Sequence, residues 1–302
     1  MKRLLLLFLM SVGVINASAQ GTHSTVSEQL ETSQKSFCER KPVTNKWSFI
    51  LGDAEYANHY LNSQEYTGEV SGFEGIFGRY YRNSDQLSWK LTLTHVRNMY
   101  RELAQMGGLT NAANTSHISI QNYEVDYAVF YNWFIKNRLQ LRVGSSFNFY
   151  GGFLYGDKYA INNAISVDLQ TQFYAHAQIR YGWDFKKYGL DIYANIATPF
   201  MGMMVVDERY ESFVESLLTS DFNLKEHGHF KLSSMHNLQG VNFEMGVDYA
   251  LRNVTLSMAY ETKNRWWNAY ELQNYRKYSL LKLGVSVNLF NQQNRKISDR
   301  QF

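Results

Sequence analysis

The feature that most constrains this chain is a regular alternation of apolar and polar residues close to its C-terminal end. From position 281 to 289 every odd residue is apolar and every even one is polar or small: Leu281, Lys282, Leu283, Gly284, Val285, Ser286, Val287, Asn288 and Leu289. Successive side chains of a β-strand point to opposite faces, so this segment is predicted to be a strand. One of its faces is apolar and the other polar.

The same period of two recurs from Trp47 onward. Seven further segments show it clearly: 87–94, 123–129, 139–144, 173–185, 189–196, 241–251 and 254–261. Two earlier strands, at about 47–54 and 68–82, are less regular. In the second of these, Ile76 and Phe77 compete for the same face, which indicates a β-bulge. Together these segments predict ten strands.

The connections between the predicted strands alternate in length. Short turns fall at 83–85, 136–137, 186–188 and 252–253, and long loops at about 54–67, 100–116, 152–168, 204–236 and 264–275. An even strand number with tight periplasmic turns and longer outer loops is typical of bacterial outer-membrane barrels. The sequence therefore predicts an all-β fold over residues 47–290. It is a ten-stranded antiparallel up-and-down transmembrane β-barrel with short periplasmic turns, long extracellular loops and both termini in the periplasm.

A soluble lipocalin-like barrel or β-sandwich is the competing fold, and it would turn its apolar face inward. Periodicity alone does not say which face is inside. Aromatic residues near predicted strand ends, such as Trp133, Trp183 and Trp266, favour the membrane barrel because rings at headgroup level anchor such proteins. Proline usage agrees. Pro42 and Pro199 are the only two, and a closed sheet leaves no edge strand for a residue without an N–H.

The N-terminal segment has the form of an export signal. Lys2 and Arg3 precede an apolar run over residues 4–14, and small residues follow at 17–19. We expect residues 1–19 to be a signal peptide for Sec-dependent secretion in a Gram-negative bacterium.

The rest of the chain outside the barrel is predicted to lie in the periplasm, with residues 20–46 as a flexible leader and 291–302 as a tail. The formal net charge is +3 without basic runs, which gives no case for nucleic acid. The partners expected for an outer-membrane protein are its lipid and the barrel-assembly machinery. An extracellular ligand is not identified by the sequence.

If the apolar face meets lipid, the alternate positions point into the lumen. They carry five cations and six acids: Lys90, Arg142, Arg180, Lys263 and Lys282, with Glu124, Asp126, Asp191, Glu244, Asp248 and Glu261. Ten strands imply a narrow barrel, since water channels belong to sixteen or more. The near-balance of sign indicates a mutually neutralised plug in a structural or surface-binding protein. A narrow path for small solutes through this lumen charge network is the open alternative.

Two groups of residues could form chemical centres. Glu124 and Asp126 lie two apart on one strand, so both would point inward and could share a proton. Paired carboxylates also arise simply because alternate positions are polar, and bases are plentiful here. His227 and His229 lie in the longest loop without a third ligand at suggestive spacing, so no metal is predicted.

A surface protease or lipase with its site at the barrel mouth is the alternative function. His176 or His236 could act as the base for a serine such as Ser233 or Ser234. Residues 211–218 have some helical character and could cover the mouth. No family-specific spacing supports these residues, so neither catalytic residues nor a cofactor are predicted and an enzyme is not favoured.

The segment from Tyr60 to Gly68 resembles a signature of the form Tyr-Leu-Ser-Pro-x-x-Tyr-x-Gly. Tyr60, Leu61, Tyr66 and Gly68 match, while Asn62 and Ser63 replace Ser-Pro. The signature occurs in an uncharacterised family of secreted bacterial proteins, a domain of unknown function thought to form outer-membrane β-barrels. The resemblance implies that fold and location and supplies no site residues.

Overall fold

The computed structural model describes the ten segments 44–58, 65–80, 86–102, 117–135, 139–156, 165–184, 188–205, 230–251, 254–269 and 272–287. They form eleven strands: β1 (Thr44–Asn58), β2 (Glu65–Tyr80), β3 (Leu87–Glu102), β4 (His117–Ile135), β5 (Leu139–Gly156), β6 (Ile165–Asp184), β7 (Gly189–Val205), β8 (Phe230–Ser234), β9 (Leu238–Ala250), β10 (Val254–Ala269) and β11 (Leu272–Val287). Within these segments, no helix is long and apolar enough to cross a membrane.

The strands close into a single antiparallel barrel. Each strand from β1 to β7 pairs with the next one along the chain, and β9, β10 and β11 do the same. β1 pairs with β11 over thirteen positions, from Lys46 opposite Ser286 to Asn58 opposite Asn274. β8 and β9 both pair with β7 and share one place in the wall. The predicted all-β, ten-stranded antiparallel barrel is therefore confirmed.

The wall is irregular where β7 meets β8 and β9. The β7–β9 ladder ends at Ala197 opposite Asn242, and the β7–β8 ladder begins at Met201. Pro199 lies in this gap, beside a register shift between β6 and β7. A residue without an N–H is tolerated there because no ladder hydrogen bond is required of it. The side chain of Thr198 donates to the carbonyl oxygen of Gly240 at 3.0 Å and bridges the two strands.

Several strands run further than the sequence predicted. The long loop predicted at 264–275 is wrong, because β10 continues to Ala269 and β11 begins at Leu272. β1 also begins three residues before Trp47. Polar or charged residues occupy both faces of these strand ends, as in the run from Thr262 to Arg265, so the apolar alternation disappears although the backbone pairing continues.

The barrel is apolar outside and polar inside. In β11, Leu283 is 46% exposed whereas its neighbour Lys282 is 5% exposed. Large apolar side chains are exposed on the outer wall of many other strands, including Val125, Val143 and Met258. A soluble barrel would show the opposite polarity, so the lipocalin-like alternative is excluded.

The stagger of the barrel follows from its register. Paired residues lead around the wall from Thr44 through Gly78, Lys90, Ala128, Ser146 and Tyr174 to Pro199. Pro199 lies next to Gly240 across the gap, and pairing continues from Gly240 through Arg265 and Arg276 back to Tyr56. Tyr56 lies twelve residues beyond the starting point on β1. Ten strands with this stagger correspond to a strand tilt of about 40° and a narrow barrel.

Candidate functional site in the barrel lumen

The middle of the lumen is crossed by ion pairs. Lys263 Nζ on β10 lies 2.7 Å from Glu124 Oε2 on β4. In the order of strands around the wall, β10 and β4 are five places apart in a barrel of ten, so they are on opposite sides. Lys282 lies beside this pair, 2.5 Å from Glu74 and 2.9 Å from Glu261. These contacts join the two sides of the barrel through its centre.

A second cluster lies toward the end of the barrel at which β1 begins and β11 ends, which we call the near end. Arg180 is hydrogen-bonded to Asp248 and lies 3.4 Å from Asp191. Lys46 lies 3.7 Å from Asp248, and all four side chains are almost fully buried. Two cations therefore balance two carboxylates away from solvent, as a buried charge cluster requires.

Arg142, also near this end, is held by neutral groups. It donates to Asn132 at 2.8 Å, Ser88 at 2.9 Å and Gln178 at 3.0 Å. Its guanidinium lies 4.3 Å from the centre of the Phe130 ring, within cation–π distance. These contacts fill the lumen beside the charged cluster.

His176 contacts a serine, although not one of those the sequence suggested. Its Nε2 lies 2.8 Å from Ser146 Oγ, and Ser146 is also hydrogen-bonded to Asp126. In a catalytic triad the carboxylate orients the histidine from the far side of the ring. Here the carboxylate lies on the serine side, and both Ser146 and His176 are buried. This arrangement is a buried hydrogen-bond chain whose order differs from that of a catalytic triad.

The other described candidates for acid–base chemistry are held by direct contacts with other side chains. Ser234 and His236 are hydrogen-bonded to each other in the exposed turn between β8 and β9, where Asn237 bonds to the backbone of Ser234 and Leu232. Glu124 is paired with Lys263, away from Asp126. His227, His229 and residues 211–218 lie outside the described residues. In the described segments no three His, Cys, Asp or Glu side chains group as metal ligands.

Toward the opposite end, called the far end, two arginines are packed among aromatic rings. Arg265 and Arg276 are paired across β10 and β11 and are both buried. Arg276 lies 4.3 Å from the centre of the Tyr150 ring and 2.5 Å from Asp168. Arg265 donates to the hydroxyl of Tyr174 at 2.7 Å.

An apolar cluster completes the filling of the far half. Its members are buried inward-facing residues from nine strands: Ile50, Ala54, Tyr56, Tyr66, Val70, Val96, Ile120, Leu154, Met204, Leu238, Trp267, Tyr278 and Leu280. Tyr66 of the motif and Trp267 and Tyr278 therefore lie inside the barrel. A cavity of about 10 Å³, lined by Val96, Glu124 and Lys263 among others, lies between this cluster and the central ion pairs. That volume holds about one water molecule.

The structure places all eleven residues of the predicted lumen charge network on the inner face. Five further charged residues join them: Lys46, Glu74, Asp168, Arg265 and Arg276. Lys46 and Arg265 were missed because the sequence assigned them to a leader and a loop. The sequence did contain a signal for both residues. Lys46 lies two positions from Ser48 and Arg265 two positions from Lys263, so each shares the inward face of its strand with that neighbour. With them and with Lys231, which faces inward on β8 opposite Met204, the described lumen holds nine cations and eight carboxylates, so its charges nearly balance.

A closed antiparallel barrel with an apolar outer wall and paired charges in its lumen is a transmembrane β-barrel of the outer-membrane type. The chain belongs to the family described as Protein of unknown function (DUF3316), which matches residues 3–296. The resemblance drawn from the sequence is thereby confirmed. No curated protein matches the chain.

The solved structures that match the chain include proteins of the outer membrane. The outer membrane protease OmpT from Escherichia coli is 7% identical, with a TM-score of 0.42 over 82% of this chain and 97% of that one. Neisserial surface protein A is 10% identical, with a TM-score of 0.33 over 81% and 97%. An outer membrane channel from Pseudomonas putida F1 is 12% identical, with a TM-score of 0.38 over 82% and 96%. Identities and TM-scores this low say nothing about the activity of this chain.

Proposed function

We propose that this protein is a closed barrel of the bacterial outer membrane with a structural and surface-binding role, and that it is neither a pore nor a hydrolase. Both ends of the barrel segment, Thr44 and Val287, then lie on the periplasmic side, and the far end faces outward. The observation that carries the proposal is the ion pair between Lys263 and Glu124, which joins opposite walls of the lumen.

Two successive barriers support a closed lumen. The central carboxylates and amines are paired with one another, so an ion entering from the near end would have to displace a bound partner. Beyond them the apolar cluster fills the lumen, and the charged groups beside it are already bound, as Arg265 is to Tyr174 and Arg276 to Asp168. The cavity between the two barriers has room for about one water molecule.

The narrow small-solute pore remains the second candidate for a specific reason. Polar side chains line the lumen from Arg180 at the near end to Lys263 at the centre, which would suit half of a conduction path. Beyond this point the apolar cluster, which begins at Val96 and Leu280, shares the lumen with two arginines that are already bound to Tyr174 and Asp168. We therefore favour the closed barrel.

The partners follow from the outer wall. Its exposed apolar side chains suit lipid hydrocarbon, which is why we propose outer-membrane lipid as the surrounding medium. Unfolded chains with such a surface would aggregate in water, so insertion by the barrel-assembly machinery is part of the proposal.

Planar-bilayer recording tests the closed lumen. The wild-type protein is expected to give no stepwise current. A variant that removes the pair across the lumen and shortens two side chains of the apolar cluster (Lys263→Ala, Glu124→Ala, Val96→Ala and Leu280→Ala) is expected to conduct. Its matched control is Leu283→Ala on the lipid side, which should remain silent, with folding of every variant checked by circular dichroism. Stepwise currents from the wild type that disappear when Arg180 is neutralised would refute the proposal and establish the pore.

A further inference from the structure

The apolar outer wall differs in height around the barrel. On β1 the outward series Trp47, Phe49, Leu51 is followed by Asp53 and Glu55, all exposed. The neighbouring strands change in the same way. β2 carries Glu69 directly opposite Asp53, β3 carries Arg97, and Lys277 on β11 lies 2.7 Å from Glu55. This side, from β11 to β3, we call the seam face. Its apolar part ends well before its strands do.

On the opposite side the outward positions carry large apolar residues to a greater height, with uncharged polar residues such as Thr171 and Ser234 among them. We call this surface the far apolar wall and define it by five residues of β5 to β8: Phe153, Tyr155, Leu169, Met203 and Leu232. Tyr155 is 64% exposed and Leu232 82% exposed. In the described parts of β5 to β8, no outward-facing position carries a charge.

The register converts these positions into heights along the barrel axis. At a strand tilt of about 40°, each residue advances about 2.5 Å and each step to the next strand about 3 Å. Measured from Thr44, Leu51 and Leu281 lie at about 15–18 Å, and Asp53 and Lys277 at about 22–25 Å. The far apolar wall lies at about 25–35 Å on the same scale, above the level at which the seam face becomes charged.

A tilt of the whole barrel does not explain the difference. Tilting would move the upper and lower edges of the apolar surface on one side in the same direction and would leave its height unchanged. At the near end, however, Ile135 on β4 and Trp183 on β6 lie about 7–9 Å below Thr44, while Val287 on the seam lies about level with it. The apolar surface is thus taller at both ends on the side opposite the seam.

We propose that the far apolar wall is covered by the acyl chains of outer-leaflet lipid, so that the bilayer is locally thicker there than at the seam face. The inference rests on the proposed outer-membrane location. The wall is continuous with the lipid-facing surface below it, since Phe149 leads to Phe153 on β5 and Met201 to Met203 on β7. A protein-binding patch would be expected to carry a polar rim. A bilayer adapts its thickness to such a mismatch at modest cost.

Single-cysteine labelling tests the proposal in the full-length chain. Cys38 is first replaced by Ser, and an environment-sensitive fluorophore is attached at Tyr155→Cys, at Leu232→Cys or at Glu55→Cys. Each protein is reconstituted in vesicles of phospholipid and lipopolysaccharide. Labels at 155 and 232 are expected to be quenched several-fold more by nitroxide on the acyl chains than by a water-soluble quencher. The label at 55 should show the reverse preference.

Two results would overturn the inference. One is equal access of the water-soluble quencher to positions 55, 155 and 232. The other is shielding of 155 and 232 in native outer membranes but not in lipid vesicles, which would indicate a protein partner. A label at Leu283→Cys, in the middle of the lipid-facing surface, separates this inference from the proposed location. If that label is also open to water, the membrane location itself is wrong.

Discussion

Two ion pairs of this protein have the same chemistry and the same length but different surroundings. Lys263–Glu124 crosses the lumen and Lys277–Glu55 lies on the outer wall, each with Nζ 2.7 Å from Oε2. The lumen side chains are each 13% exposed, whereas the outer ones are 41% and 49% exposed. The pairs therefore form a matched test of burial.

Lys263→Met is expected to lower the free energy of unfolding by about 3 kcal/mol, because it leaves the carboxylate of Glu124 without its partner inside the barrel. We take the lower end of the range for buried pairs, since some solvent reaches this one. Glu261 keeps Lys282 at 2.9 Å after the change, so a single carboxylate bears most of the loss. Lys277→Met should cost less than about 1 kcal/mol, as exposed pairs do.

Urea unfolding from lipid vesicles, followed by tryptophan fluorescence, measures both effects. Adding Glu124→Gln to Lys263→Met completes a double-mutant cycle, and Glu55→Gln with Lys277→Met completes the control cycle. The coupling energy across the lumen should exceed that on the outer wall by at least about 1 kcal/mol. Equal coupling in the two cycles would mean that the lumen is wet, and the argument for a closed barrel would fail.

Two further substitutions probe the wall itself. Gly52→Val should prevent folding of the barrel, judged by its migration in unheated gels, because a Cβ at Gly52 would lie 2.0 Å from the carbonyl oxygen of Ser279. Native-like migration would show that β1 and β11 can separate there. Leu283→Lys, on the lipid side of β11, should cost about 2–4 kcal/mol in vesicle unfolding experiments if that side chain faces the middle of the bilayer. A change within about 0.5 kcal/mol would place it in water.

The fold could be predicted because its signal is local. Alternation in β11 needs only the residues from Leu281 to Val287, and their two faces differ sharply in polarity. At the far end of β10 the two faces no longer differ, since Asn264 faces outward and Arg265 inward. The predicted loop at 264–275 was wrong for this reason. Backbone pairing there is carried over from the neighbouring strands, which the local sequence does not reveal.

The composition of the lumen was easier to predict than its contacts. The alternation of side chains along a strand assigns Glu124 and Lys263 to the inner face. However, 139 residues separate them in the sequence, and only the closure of the barrel places β4 opposite β10. The same alternation also suggested that Glu124 and Asp126, which are two positions apart, could share a proton. In the folded barrel Glu124 is held by a cation from the opposite wall and Asp126 by Ser146, so each carboxylate has its own partner.

The near-balance of charges in the lumen follows from the closure of the barrel. A carboxylate inside a narrow barrel is not solvated by bulk water. It must therefore be stabilised by an opposite charge from a strand whose side chain reaches it. Lys282 on β11 meets this demand for Glu74 and Glu261 together, which lie on β2 and β10, the two strands that flank β1 and β11. Loss of either acid should therefore be better tolerated than loss of Lys282. The lysine keeps one partner when an acid is lost, whereas its own loss leaves Glu74 without this cation and Glu261 with Lys263 at 3.9 Å. An alanine series over these three positions would reveal that order in the free energies of unfolding, and the reverse order would show that the acids, not the lysine, organise the centre of the barrel.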